Sequence, residues 1–353
     1  MSTVKSTNQR ANCFTLLRYT FFFCIFCNHF VIINGSLNTP FNGLWFVQGF
    51  FIISGILVFN SYERSKSNIE FFLKRFLRIY PAYFITIICC FIIGIIVTNL
   101  PLNEFFSNRT TWKYLFANLC FGNFLQPTLP GVFENNPLPY LNGSLWTLKV
   151  EIMFYLTVPL VAHLLKRYNR NLILISIITF SVVWDITTSQ LYYMTENKIF
   201  SDLNHQIFGE LSYFYFPILL YNYRDILLKR WWVLFISISL LLLQQHIWQL
   251  CYLNCFSISI IILYLAYKPT FLFPISNITD YSYEMYLLRF PILQLLCLAS
   301  IPANYFTLSI ALIIIFLIAY VLNHICNKFS YKNLLSKHHI QSYFYKLKKN
   351  DNI

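Results

Sequence analysis

Long apolar runs separated by short polar interruptions dominate the chain. Runs of about 17 to 25 mostly apolar residues, the length a helix needs to cross hydrocarbon, fall near 14–33, 44–60, 81–99, 143–165, 171–188, 205–222, 229–247, 249–267, 280–300 and 304–326. The pattern predicts an all-α, polytopic integral membrane protein with about ten transmembrane helices. Two intervening stretches are more than connectors. Residues 61–80 set Phe71, Phe72, Phe76 and Leu77 among Lys74, Arg75 and Arg78, which predicts a helix lying along the cytoplasmic interface. Segment 100–142, with TWKYLFANLCF and QPTLPGVFENNPLPY, is long enough to fold back over the outer mouth of a site. No repeat of 20–50 residues is visible.

Composition and charge sharpen this picture. The 353 residues are 57% hydrophobic and 11% charged, with a formal charge of +13. A nucleic-acid binder would carry its basic residues on a polar surface, whereas these lie in short loops between apolar runs, so the excess reads as topology. With the N-terminus cytoplasmic, twenty of the 26 Lys and Arg fall inside, three fall outside (Arg109, Lys113, Lys198) and three lie within spans (Arg18, Lys149, Arg289). Both termini are therefore expected in the cytoplasm. The organisation expected is a segment 1–13, a membrane domain 14–327 and a basic tail 328–353 at the solvent or membrane surface. The polar start MSTVKSTNQRAN lacks the form of a cleavable signal.

Ionisable groups inside spans mark candidate chemistry, because they are costly in lipid and usually face a bundle interior or a watery cavity. Arg18 and His29 are eleven residues apart, about three helical turns, so they share a face roughly 16 Å apart along the axis. Structural alternatives are that Arg18 snorkels to headgroups and His29 bonds a neighbouring helix. Glu151 is expected about 12 Å deep from the outer end of its span, matching His29, and a carboxylate beside an imidazole is suited to orienting a general base. Asp185 and Glu210 would ring an outward vestibule, although an interfacial position is favoured for both. Arg75 and Arg78, with Lys74 adjacent, present guanidinium groups on one face able to grip phosphates, or anionic lipid heads. The pattern suits a phosphorylated donor inside and an acceptor outside.

The ten cysteines are mostly in spans and behave as small hydrophobes. Cys24 and Cys27 have CxxC spacing without the context of a redox or metal site, and no metal is expected. Asn108 and Asn142 head glycosylation sequons.

Five blocks in order, LRYTFFFCIFCNH, GLWFVQGFFIISGILV, FLKRFLRIYPAYF, SLWTLKVEIMFYLTVPL and DYSYEMYLLRFPI, resemble the acyltransferase type 3 family of integral-membrane acyltransferases over about 14–300. The resemblance implies a ten-helix domain that transfers acyl groups, most often acetyl from acetyl-CoA, to hydroxyls of surface glycans. It also implies that Arg18 and His29 are essential and that Arg75 and Arg78 contact the donor. Ser54 and Glu151 match further family positions, as does Trp146, with helix packing and interface anchoring as the structural alternatives for Ser54 and Trp146.

Two departures stand out. The acidic-glycine pair that commonly precedes the first-helix arginine is replaced by Thr15-Leu16-Leu17, and Arg289 stands where the family's YLxH block has histidine. Arg289 suggests recognition of a carboxylate on an acidic sugar or the donor, with a structural pair to Glu284 as the alternative. The expected catalytic set is His29, Glu151 and Arg18; the donor set is Arg18, Lys74, Arg75 and Arg78; the substrate set is Ser54, Trp146 and Arg289. His29 would serve as general base or as an acyl-bearing nucleophile. Expected partners are acetyl-CoA, a glycan or lipid-linked sugar such as lipopolysaccharide O-antigen, and the lipids of a bacterial inner membrane. The rival class is a transporter or flippase of a lipid-linked glycan.

Overall fold

The structure, a computed structural model, describes residues 12–34, 42–244, 246–276 and 278–329, so the segment 1–11 and most of the basic tail lie outside the described residues. Among the described residues the chain is helical and contains no strand. The helices in chain order are α1 (Phe14–Asn34), α2 (Gly43–Glu63), α3 (Asn68–Val97), α4 (Leu102–Ser107), α5 (Arg109–Leu119), α6 (Trp146–Arg167), α7 (Arg170–Thr195) and α8 (Lys198–Asn204). They continue with α9 (Ile207–Asn222), α10 (Arg224–Leu227), α11 (Trp231–Leu243), α12 (Asn254–Tyr267), α13 (Phe273–Ser276), α14 (Ser282–Leu298) and α15 (Tyr305–Asn327).

A helix stands at each of the ten apolar runs, and seven of these regions are long and apolar enough to cross a membrane: those of α1, α2, α3, α6, α7, α12 and α15. The other three are shorter: α9 has 16 residues, α11 has 13 and α14 has 17. For α9 and α14 the reason is visible in their surroundings. Both bury most of their residues against the rest of the protein, as a helix in a protein interior does.

The separate interfacial helix expected at 61–80 is corrected. Ser67 caps the start of α3 by accepting from the Glu70 amide, and α3 then runs 30 residues through Pro81 without a break. At 1.5 Å per residue it is about 45 Å long, more than the roughly 30 Å of hydrocarbon. Its basic first turns therefore extend the spanning helix instead of forming another element.

Of the described residues, 12–25, 42–63 and 150–280 form one compact unit and 26–34, 64–149 and 281–329 form another. In the first unit α9 packs on α2, α7 and α12. Phe154 stacks on Phe214 at 4.7 Å between centroids, and Phe51 meets Phe154 edge-on at 5.2 Å. Close approach of α2 to α9 depends on Gly55, where an added Cβ would lie 2.1 Å from the Phe214 carbonyl oxygen. Small residues at such crossings let helix backbones approach in lipid. Gly55→Ala should cost on the order of 3 kcal/mol through overpacking, read as less folded protein in detergent extracts and a lower thermal midpoint.

In the second unit α14 packs against α3, α15 and the short turn Gly143–Leu145. Tyr83, Ile87, Leu145, Leu148, Leu287 and Leu322 form its shared core. The 100–142 segment is folded, not a loose flap: Phe105, Tyr114, Leu129, Val132, Phe133 and Leu141 join Cys90 and Phe91 of α3 in a second cluster. Gln294 of α14 secures it by donating to the Leu138 and Tyr140 carbonyls and accepting from Asn136 at 2.9 Å.

Candidate active site

α1 is one unbroken helix that carries both Arg18 and His29. In the first unit Arg18 Nη1 donates to Asp280 Oδ2 at 2.6 Å, with the two side chains only 21% and 15% exposed. Next to it, the Tyr19 hydroxyl donates to the Thr279 carbonyl at 2.8 Å, so two successive residues tie α1 to the segment before α14. The acid missing ahead of Arg18 at Thr15-Leu16-Leu17 is thus replaced by a carboxylate 262 residues away. Snorkelling of Arg18 to lipid headgroups is thereby corrected.

Ser54 and Glu151 come together. The Ser54 hydroxyl donates to Glu151 Oε1 at 3.0 Å, and the Tyr155 hydroxyl, one turn along α6, donates to the same oxygen. Two hydroxyl donors on one carboxylate oxygen fix its direction. The interfacial position favoured for Glu210 is corrected: the residue is 1% exposed, with its carboxylate 3.6 Å from His205 Nδ1 and 3.5 Å from the Gln48 amide nitrogen. Asp185 Oδ1 accepts from Asn204 at 2.6 Å and Ser189 at 3.3 Å.

In the second unit the half-buried His29 ring meets Phe290 edge-on, 5.6 Å between centroids. Phe290 in turn lies over Gly143, where a Cβ would come within 2.8 Å of the ring. The next residue, Ser144, accepts from Arg289 Nε at 3.3 Å and Nη2 at 3.1 Å. Arg289 is fully buried, its guanidinium 4.1 Å from the Tyr286 ring. The structural pair with Glu284 is not what is found: Glu284 lies five residues back on α14, about 140° round the helix, and accepts from Asn323 at 2.8 Å. Trp146 opens α6 and is half-buried.

The basic first turns of α3 carry the three cations assigned to the donor. Lys74 is held by Glu70 at 2.8 Å and by Ser65 at 3.2 Å, while Arg78 is exposed and Arg75 half-buried. The Tyr283 hydroxyl donates to the Ile79 carbonyl at 3.0 Å, so the first turn of α14 sits beside this end of α3. The sequon at Asn142 is structural. Its side chain is fully buried, donating to the Leu287 carbonyl and accepting from the Ser144 amide, and cannot carry a glycan. Asn108 caps α5, and among the described residues neither Cys24 nor Cys27 forms a disulfide.

The model of one family, described as an acyltransferase domain, matches residues 12–324. The chain belongs to the acyltransferase type 3 family. That family assignment and the apolar helices together make it a multi-pass membrane protein. Among curated proteins it is similar to nodulation protein 10 of Rhizobium leguminosarum bv. viciae, 33% identical over 149 residues, covering 38% of this chain and 40% of that one. It is similar to an O-acetyl transferase of Shigella phage Sf6, 28% identical over 191 residues, 52% and 55% of the respective chains. It also resembles acyltransferase MdmB of Streptomyces mycarofaciens, 30% identical over 121 residues, 34% and 29% of the two. The chain spans about half or less of the length of these curated relatives. No solved structure matches.

Within this acyltransferase type 3 chain, sequence reasoning missed four site residues: Asp280, Tyr155, Ser144 and His205. Asp280 opens the DYSYEMYLLRFPI block and Tyr155 lies in the Glu151 block, so both were in view. Nothing in one-dimensional spacing announces that they meet Arg18 and Glu151.

Proposed function

We propose that this chain is a bacterial inner-membrane O-acetyltransferase with ten spans and cytoplasmic termini. It moves acetyl from cytoplasmic acetyl-CoA to a sugar hydroxyl of a surface polysaccharide, with lipopolysaccharide O-antigen as the acceptor. The observation that carries the reading is the family match over 12–324, which encloses Arg18, His29, Ser54, Glu151 and Arg289. The similarity to a phage protein named O-acetyl transferase supports acetyl as the group and oxygen as its destination.

In this reading Arg75 and Arg78 receive the phosphates of the donor, with Arg18 as a further cationic contact and Lys74 contributing what charge Glu70 leaves. His29 takes the proton of the attacking hydroxyl. The sugar oxygen bonds to the acetyl carbonyl carbon, the carbon–sulfur bond breaks, and the leaving thiolate takes the proton from His29. In the version with an acyl-histidine, the acetyl group rests on the imidazole before reaching the sugar. Glu151, held by Ser54 and Tyr155, is the carboxylate of the catalytic set in this reading, and Trp146 lines the acceptor's approach.

The test is mass and NMR analysis of surface polysaccharide from cells with and without the gene. Loss of one acetyl group per repeat in the deletion, restored on complementation, is the expected result. Unchanged acetylation with altered glycan amount or location would overturn the reading in favour of a transporter.

A further inference from the structure

The Arg289 guanidinium is the largest fully buried side chain among the described residues, yet no carboxylate pairs with it. Ser144 accepts from Nε and Nη2, the Tyr286 ring lies against the charge, and among the described residues Nη1 has no hydrogen-bond partner. An uncompensated buried cation is strongly unfavourable, and the group cannot relieve the cost by losing its proton. Its position compounds the problem. Ser144 lies in the turn Gly143–Leu145 that leads into α6, a helix of 22 residues. The N-terminus of such a helix carries unsatisfied N–H groups and the positive end of the macrodipole. Two sources of positive potential therefore lie close together, joined through Ser144, and one guanidinium nitrogen is left unused. That arrangement fits an anion.

Placement within the second unit says which anion. Tyr283 bonds the Ile79 carbonyl, immediately after Arg75 and Arg78, so that end of α14 lies by the turn assigned to the donor phosphates. Arg289 is six residues further along, about 9 Å by helical rise. Its neighbour Phe290 touches the His29 ring. The buried charge is thus at the reacting end, not the phosphate end.

We propose that Arg289, with Ser144 and the N-terminal turn of α6, holds the carboxylate of an acidic acceptor sugar and makes this chain selective for uronic-acid-type glycans. The proposal rests on the acyltransferase reading above and adds the class of acceptor. Arginine suits the task because its planar fork meets both carboxylate oxygens, which a neutral hydroxymethyl group in the same place cannot reproduce.

The experiment uses membranes containing the full chain, labelled acetyl-CoA, and surface glycan purified from the deletion strain, either native or with its carboxyl groups chemically reduced to alcohols. Wild type should prefer the native glycan by roughly tenfold or more in kcat/KM, the scale of a charge-assisted hydrogen-bonded pair. Arg289→Gln should raise KM for the native glycan, leave KM for acetyl-CoA unchanged and erase the preference; Arg289→Lys should keep part of it. Equal use of both glycans by wild type overturns the proposal without recourse to any variant. A raised KM for acetyl-CoA in place of the glycan also overturns it, by putting the anion on the donor. Failure of wild type to acetylate even the native glycan would instead overturn the acetyltransferase reading itself, and this proposal with it.

Discussion

Replacing His29 with alanine should lower acyl transfer in membranes at least 100-fold while the protein stays at its normal level. The size follows from the role, since a positioned general base contributes on the order of 10²- to 10⁴-fold. That the protein should survive follows from the packing. The His29 ring is only half-buried and meets Phe290 edge-on, and Phe290 keeps its own seat over Gly143 when the imidazole goes. The assay is transfer of label from acetyl-CoA to purified glycan, beside a blot for the protein. Activity within threefold of wild type would sink both the general-base and the acyl-histidine versions. The two versions separate without acceptor present: label that remains on wild-type protein and is released by hydroxylamine, absent from His29→Ala, identifies the covalent route.

What could be read from sequence follows the range of the interactions. Helix positions were legible because a 17- to 25-residue apolar run leaves the backbone in lipid almost no alternative, and a helix stands at each run. The count of seven long spans against ten runs was not, since hydropathy cannot tell a helix that faces lipid from α9 or α14, whose apolar surface faces protein. The break expected at 61–80 failed for a related reason. A change from basic to apolar character reads like a change of element, but the Ser67 cap starts a single helix on which both characters lie in succession. Arg18 and Glu151 were legible as ionisable groups in apolar surroundings, and Ser54 and Arg289 through the resemblance to family blocks. Their partners were not: Asp280, Tyr155 and Ser144 are ordinary residues near helix ends or in familiar blocks, and tertiary packing alone selects them.

Arg18 and Asp280 provide the second large effect, and here folding and chemistry can be separated. Arg18→Ala and Asp280→Ala should each reduce folded protein, because each leaves a single charge in a mostly buried position. The double variant Arg18→Ala/Asp280→Ala removes both charges and should recover much of that loss, with a coupling of roughly 1–3 kcal/mol in a thermal-unfolding cycle. Activity should not recover with it. Only Nη1 of the guanidinium is engaged by Asp280, and the group has five N–H donors, so the pair orients a fork that can still present donors to an anion. If Arg18 contacts the donor, the well-folded double variant stays more than 100-fold below wild type and shows a raised KM for acetyl-CoA. If transfer returns in step with folding, the pair is a structural tie between α1 and the segment before α14, and donor binding falls to Arg75 and Arg78 alone.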